Sequence, residues 1–200
     1  MPTIELLGSQ RSPFLRKVRL ALLEKNIPFE WNQQPGDRLA KLNPLAKIPT
    51  LLVDGQAIYD SKVIVEYLDT INQSPALLPS QPARRVAVKQ WESLADGMSD
   101  AMVAVNAESK RPQNLQSADA MGAQRGKVER GLAVAAEKFG SGPWCEGGAM
   151  SAADLALVSA LGYLSFRFPE IDWRSRYPNL AGFYDAMHQR PSVASSIPAP

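Results

Sequence analysis

Three short stretches of this 200-residue sequence combine groups able to bind or activate a small polar ligand: Ser12-Pro13, Ile48-Pro49 and Asp60-Ser61. Serine followed by proline specifies a helix start, with Ser12 as N-cap and the fixed φ of Pro13 suited to the first turn. The same hydroxyl sits in the positive potential of a helix N-terminus, beside unpaired backbone N–H groups, where a bound thiolate or other anion is stabilised. Ser9, three residues earlier, is a weaker, loop-borne candidate for that task. No cysteine or tyrosine lies in this turn, so redox chemistry by a protein thiol is not available there. Asp60-Ser61 precedes an amphipathic run and reads first as another cap. It also supplies an acid to pair with an ammonium, and a hydroxyl at a helix N-terminus to take a carboxylate. Those are the groups that hold an amino-acid-like ligand.

Pro49 stands immediately before an apolar run, Thr50-Leu51-Leu52-Val53, that belongs inside a sheet. Proline is confined there to a first position or an edge. A trans bond opening the strand is the common case, since only about 5–6% of X-Pro bonds in folded proteins are cis. A cis bond would turn the backbone N–H and C=O of Ile48 toward a ligand.

The elements that must position these groups are legible from turn signals and periodicity. Thr3 to Leu7 is a short β-run closed by Gly8, and Ser12-Pro13 starts a helix with apolar residues at 15, 18, 22 and 23. Phe29 to Trp31 resumes extended character, completing a right-handed βαβ unit. A helical turn at Arg38 to Leu42 leads to a hairpin, with Asp54-Gly55 between Thr50–Val53 and Gln56–Tyr59, and then to a helix over Ser61 to Thr70. Beyond Leu78-Pro79-Ser80-Gln81-Pro82 all patterns are helical: roughly Pro82 to Lys110, Ser117 to Gly140, Ala152 to Phe166 and Leu180 to Gln189. Ser151 and Asp154 form a capping box at the third of these. The expected fold class is α+β, with a βαβ-ββα domain over residues 1–80 and an all-α domain over residues 81–200.

Composition narrows the function. A 45% hydrophobic, 21% charged chain has the makeup of an ordinary globular protein. Twenty-two Lys+Arg against twenty Asp+Glu, nine against eight over residues 1–80, gives no footprint for nucleic acid. Arg16, Lys17 and Arg19 read as a solvated helix face balanced by Glu24. The N-terminus has neither the basic nor the apolar region of a secretion signal. The nearly uncharged run Leu155 to Phe168 is too short for a bilayer, which takes about 20 apolar residues, and reads as a buried core helix. One Cys and one His, Cys145 and His188, allow no internal disulfide and no four-ligand zinc site, so no metal is expected and a reducing, cytoplasmic setting is. Trp91, Met98, Met102 and Val105 recur at helical spacing as core or interface rather than pocket. Asn106, Lys110 and Arg111 could face a cleft or solvent equally. Cys145 reads as a small buried residue, and Trp173 and Tyr177 as packing residues.

Taken together, Ser12-Pro-Phe-Leu-Arg-Lys-Val-Arg19, Glu24-Lys25-Asn26-Ile27, Asn43-Pro44, Lys47-Ile-Pro-Thr-Leu51, Asp60-Ser61 and Ile64-Val-Glu-Tyr-Leu68 resemble the N-terminal domain of the cytosolic glutathione S-transferases. Pro143-Trp144, Ser151-Ala-Ala-Asp154 and Phe183 to Pro191 with Val193 are similar to that superfamily's helical domain, so the resemblance spans nearly the whole chain. The Ser-Pro-Phe turn looks like its serine-type members, the plant tau class and related bacterial proteins. The resemblance implies a thioredoxin-like domain that binds glutathione as co-substrate, a helical domain that supplies a pocket for a small apolar electrophile, and a homodimer. It implies that Ser12 hydrogen-bonds the glutathione sulfur. Ile48, before Pro49, would pair its backbone with the cysteinyl moiety, Asp60 and Ser61 would hold the γ-glutamyl end, and Lys47 would lie near the glycyl carboxylate. Asp60 departs from the family, where glutamate is commoner, and is one methylene shorter.

The expected reaction is a detoxifying conjugation with no covalent enzyme intermediate and no cofactor besides glutathione. Lowering a thiol pKa by ~2 units requires about 2.7 kcal/mol of preferential thiolate stabilisation, within reach of one O–H···S bond and a helix N-terminus. The alternatives are a non-catalytic binding module of the same fold and a specialised glutathione-dependent isomerase, peroxidase or dehalogenase.

Overall fold

The computed structural model describes residues 2–198. The chain opens with strand β1 (Ile4–Leu7), helix α1 (Pro13–Glu24) and strand β2 (Glu30–Asn32). Helix α2 (Arg38–Leu42), strands β3 (Thr50–Val53) and β4 (Gln56–Ile58) and helix α3 (Ser61–Ile71) follow. The sheet order is β2-β1-β3-β4, with β1 and β2 parallel and the other two pairs antiparallel. Leu6 pairs with Trp31 on one side and Leu51 on the other. β1 is buried on both of its faces, with Ile4, Leu6 and Leu7 all inside. This is a thioredoxin-like domain with a mixed sheet.

The rest of the described chain is helical. α4 (Pro82–Glu108) and α5 (Ala118–Phe139) flank a 3-10 turn at Gln113–Leu115. α6 (Ala152–Arg167), α7 (Trp173–Arg176), α8 (Pro178–His188) and α9 (Pro191–Ala194) complete it. α5 runs unbroken through Gly122, Gly126 and Gly131, and at Gly131 a Cβ would come within 2.5 Å of Met98, so the glycine lets α5 close on α4. α6 is the central pillar, buried without interruption from Ala152 to Leu164. Its capping box is formed on both sides, with the Ala153 N–H donating to Ser151 Oγ and the Ser151 N–H to Asp154 Oδ2. The Ala152 N–H donates to the Leu77 carbonyl, so α4 and α6 both begin beside the connection from the sheet domain.

α1 corrects one expectation. Its cationic residues are not a solvated face: Arg16 and Lys17 are each 1% exposed, because α1 lies between α3 on one side and α6 and α9 on the other. Arg16 donates to the carbonyls of Val158 and Val193 and to Ser196 Oγ, each at 3.3 Å. Lys17 Nζ lies 3.0 Å from Glu92 and 2.7 Å from Asp96, both on α4. Arg19, less buried, stacks over Trp31 at 4.3 Å and donates to the Ser195 carbonyl. Trp91, Met98, Met102 and Val105 are buried in the core, as is Trp173, while Tyr177 packs against its edge. Cys145 is buried, its backbone N–H donating to Asp154, and burial followed by the Asp154 charge pushes its thiol far above the usual range. No helix of the described residues is long and apolar enough to cross a membrane.

Candidate functional site

The chain end of β1 and the start of α1 form the first wall of a cleft. Gly8 leaves the sheet at φ +137°, where a Cβ would meet Ile48 and Leu15 at 2.7 Å. Only glycine allows the Ile48 loop to approach this closely. Its N–H donates to the Asn32 carbonyl and its own carbonyl accepts from Trp31 Nε1, each at 2.9 Å. Ser12 follows as the N-cap of α1: its Oγ accepts from the Leu15 N–H at 3.2 Å. That bond uses a lone pair and leaves the hydroxyl proton free. Ser9 also lines the cleft, but its Oγ accepts from the Arg11 N–H in a local turn and caps no helix.

A second loop, from Asn43 to Thr50, closes over this turn. Asn43 is buried and braces the loop through three bonds: its amide donates to the Lys47 carbonyl at 3.0 Å and to Thr50 Oγ1 at 3.1 Å, and its Oδ1 accepts from the Leu45 N–H at 3.0 Å. Thr50 Oγ1 in turn donates to the Lys47 carbonyl. The loop so held delivers Lys47 and Ile48, and the Ile48–Pro49 bond is cis. Among the described residues neither the N–H nor the C=O of Ile48 has a hydrogen-bond partner.

The third wall is the start of α3. Asp60 is its N-cap, Oδ1 accepting from the Lys62 N–H at 2.9 Å, and Ser61 behind it is 3% exposed. Ser12, Lys47, Ile48, Pro49, Asp60 and Ser61 thus all line one cleft of about 590 Å³. The helical domain closes its other side with Asp96, Asp100 and Val103 of α4, continued by Asn106 and Lys110, and with Tyr163 and Arg167 of α6. Arg111 is not among the lining residues and pairs instead with Glu108. His188 is elsewhere, its Nδ1 2.7 Å from the Tyr184 carbonyl.

Electrostatics are concentrated where the two domains meet. Burial pushes the Asp96 carboxyl up, and the Lys17 ammonium pulls it back. Lys62 Nζ, 3.8 Å from Asp96, joins this group from the first turn of α3. Burial likewise pushes the Tyr163 hydroxyl up, against the pull of the Arg167 guanidinium that is hydrogen-bonded to it. Asn43, Asp96, Tyr163 and Arg167 were not singled out as site residues from the sequence. Asn43 gave a signal in its Asn-Pro turn; Tyr163 and Arg167 sit in a run that reads as uniform core.

Comparison with known proteins gives the family to which this fold belongs. Residues 11–71 match the family model described as glutathione S-transferase, N-terminal domain, and residues 97–186 match that for the C-terminal domain. The uncharacterized GST-like protein YibF of Escherichia coli (strain K12) is 36% identical over 200 residues, covering 98% of both chains. A glutathione S-transferase from Methylobacterium radiotolerans, solved in complex with glutathione sulfonate, superposes with a TM-score of 0.95 at 39% identity, covering 99% of this chain and 96% of that one. Another from Methylobacillus flagellatus, solved with glutathione bound, gives a TM-score of 0.95 at 40% identity over 98% of this chain and all 100% of its own. With both domains matched and relatives similar along their whole length, this chain belongs to the glutathione S-transferase family.

Proposed function

We propose that the protein is a glutathione transferase in which the Ser12 hydroxyl donates a hydrogen bond to the glutathione sulfur and holds it as a thiolate for attack on a small electrophile. The observation that carries this reading is the state of the Ser12 hydroxyl. It already accepts the Leu15 N–H at 3.2 Å, so its proton is what it can offer to a ligand in the cleft. The N-terminus of α1 adds positive potential at the same place. Glutathione-bound relatives of similar length and fold support tripeptide binding.

The remaining walls suit the rest of the tripeptide. Ile48 offers a backbone N–H and C=O to the cysteinyl unit in the manner of strand pairing. Lys47 lies on the same loop for the glycyl carboxylate. Asp60 has one oxygen on the Lys62 N–H and the other available for the γ-glutamyl ammonium, with Ser61 and the α3 N-terminus beside it for the carboxylate. The reaction joins sulfur to the electrophilic carbon while the thiol proton passes to solvent. No side chain acts as nucleophile. The family resemblance supports a homodimer in the cytoplasm, and a solution mass of one chain would contradict it.

Conjugation kinetics of Ser12→Ala test the proposal. Loss of a donor to an anion costs about 1.5–3 kcal/mol, so kcat/KM falls about 10- to 100-fold with glutathione still bound. Unchanged turnover would reduce Ser12 to a helix cap.

A further inference from the structure

The charges of the cleft do not cancel evenly along its length. Asp96 answers Lys17 and Lys62, Asp60 caps α3, and Asp100 lines the cleft one turn on from Asp96, so the end beside α3 is acidic. Ten residues on from Asp100, in the turn just past the end of α4, stands Lys110. Arg167 lies in the lining contributed by α6 and Arg11 in that contributed by the α1 turn. Among the described residues, none of Lys110, Arg167 or Arg11 has an ion-pair partner.

Arg167 is the most constrained of the three. Its guanidinium stacks on Phe166 at 4.3 Å from the ring centroid, and its Nε is buried with no hydrogen-bond partner. A guanidinium is a planar fork suited to a carboxylate, and an unmet buried donor is costly. One helical turn earlier, Tyr163 lines the same cleft with its hydroxyl hydrogen-bonded to the Arg167 side chain, and half-buried Asn106 lines it from α4. Phe14 and Val103 add apolar surface to the same lining.

We propose that this part of the cleft is a carboxylate subsite, with Arg167 as its anchor and Tyr163 and Asn106 as supporting donors, and that the electrophile carries a carboxylic acid group rather than being a neutral apolar molecule. The inference rests on the glutathione transferase reading above and names the substrate class of that site. For a halogenated acid, the thiolate forms the S–C bond as the carbon–halogen bond breaks. The halide departs with the electron pair, and the carboxylate remains on Arg167.

The test uses a matched pair, iodoacetate and iodoacetamide, which differ in charge and little in size. For each, kcat/KM is divided by the uncatalysed rate constant with glutathione. The acid is expected to show the larger acceleration, by about tenfold or more. Arg167→Gln is expected to erase that preference and Arg167→Lys to restore part of it. Calorimetry with the products gives a readout free of turnover: S-carboxymethylglutathione binds more tightly than its carbamoylmethyl counterpart, and Arg167→Gln levels the two. Acceleration of iodoacetamide without preference for the acid, or a preference that survives Arg167→Gln, overturns the subsite and leaves the transferase standing. Failure to accelerate either reagent, with no binding of glutathione itself, overturns both.

Discussion

In the proposed mechanism Ser12 serves two demands with different parts of one hydroxyl. Its lone pair holds the first turn of α1 through the Leu15 N–H, and its proton is available to a sulfur in the cleft. Capping and catalysis are therefore compatible, and substitution separates them. Ser12→Ala loses both functions, with about 1 kcal/mol of stability gone; Ser12→Gly, a tolerated N-cap, loses only a few tenths. Denaturant midpoints should thus distinguish the two variants while conjugation rates fall alike. Equal stability loss with full activity in both would show that the proton has no role. At Lys17 the residue scale is purely structural. Its ammonium sits 1% exposed between Glu92 and Asp96, so Lys17→Met removes the buried cation they share and leaves them only the more exposed Lys89 and Lys62. Breaking such a group costs about 3–5 kcal/mol. Urea unfolding should show that loss for Lys17→Met and a partial recovery when Glu92→Gln and Asp96→Asn are added.

Among the elements, α1 explains both what was legible in the sequence and what was not. Its start was readable because the cap and proline act locally, within three residues. The same holds for Asp60 at α3, for the Asp54-Gly55 hairpin and for the Ser151–Asp154 box of α6. The environment of its middle was not readable. Arg16 and Lys17 look like a hydrated stripe because their partners lie 75 or more residues away, on α4, α6 and the C-terminal segment. α6 is the counterpart. At Gly162 a Cβ would come within 2.0 Å of Arg16 Nη1, so the absence of a side chain on α6 and the long cation on α1 are one packing solution. Because α6 is apolar along almost its whole length, periodicity said core and hid that Tyr163 and Arg167 reach the cleft. α7 and α9, four residues each, were too short to show a period at all.

In the whole molecule, the site belongs to neither domain alone: the first brings Ser12, Ile48 and Asp60 to the cleft, the second its far wall. Contacts that tie the C-terminal segment back to the sheet domain therefore bear on the site. Glu24, at the end of α1, accepts from Arg190 Nε at 2.9 Å and from Ser192 Oγ. Burial pushes its carboxyl up, but the hydrogen bonds from Arg190 and Ser192 outweigh this and hold it below the ordinary range. A carboxyl with a depressed folded-state pKa adds stability above its unfolded pKa of about 4.3, and that stability fades as pH falls through the folded value. Glu24→Gln should accordingly be less stable than the parent at neutral pH, and the gap should shrink on acidification through this window. A constant gap down to low pH would mean that the carboxylate charge is not what joins these segments.

The central claim is that this cleft holds glutathione as a thiolate. Its most direct test is a pH titration of the protein–glutathione complex, following the ultraviolet absorbance of the thiolate alongside binding heat. The account predicts binding with a thiol pKa about 2 units below the free value, and a return toward that value in Ser12→Ala. A bound thiol that titrates like free glutathione, or no binding at millimolar concentration, would contradict it.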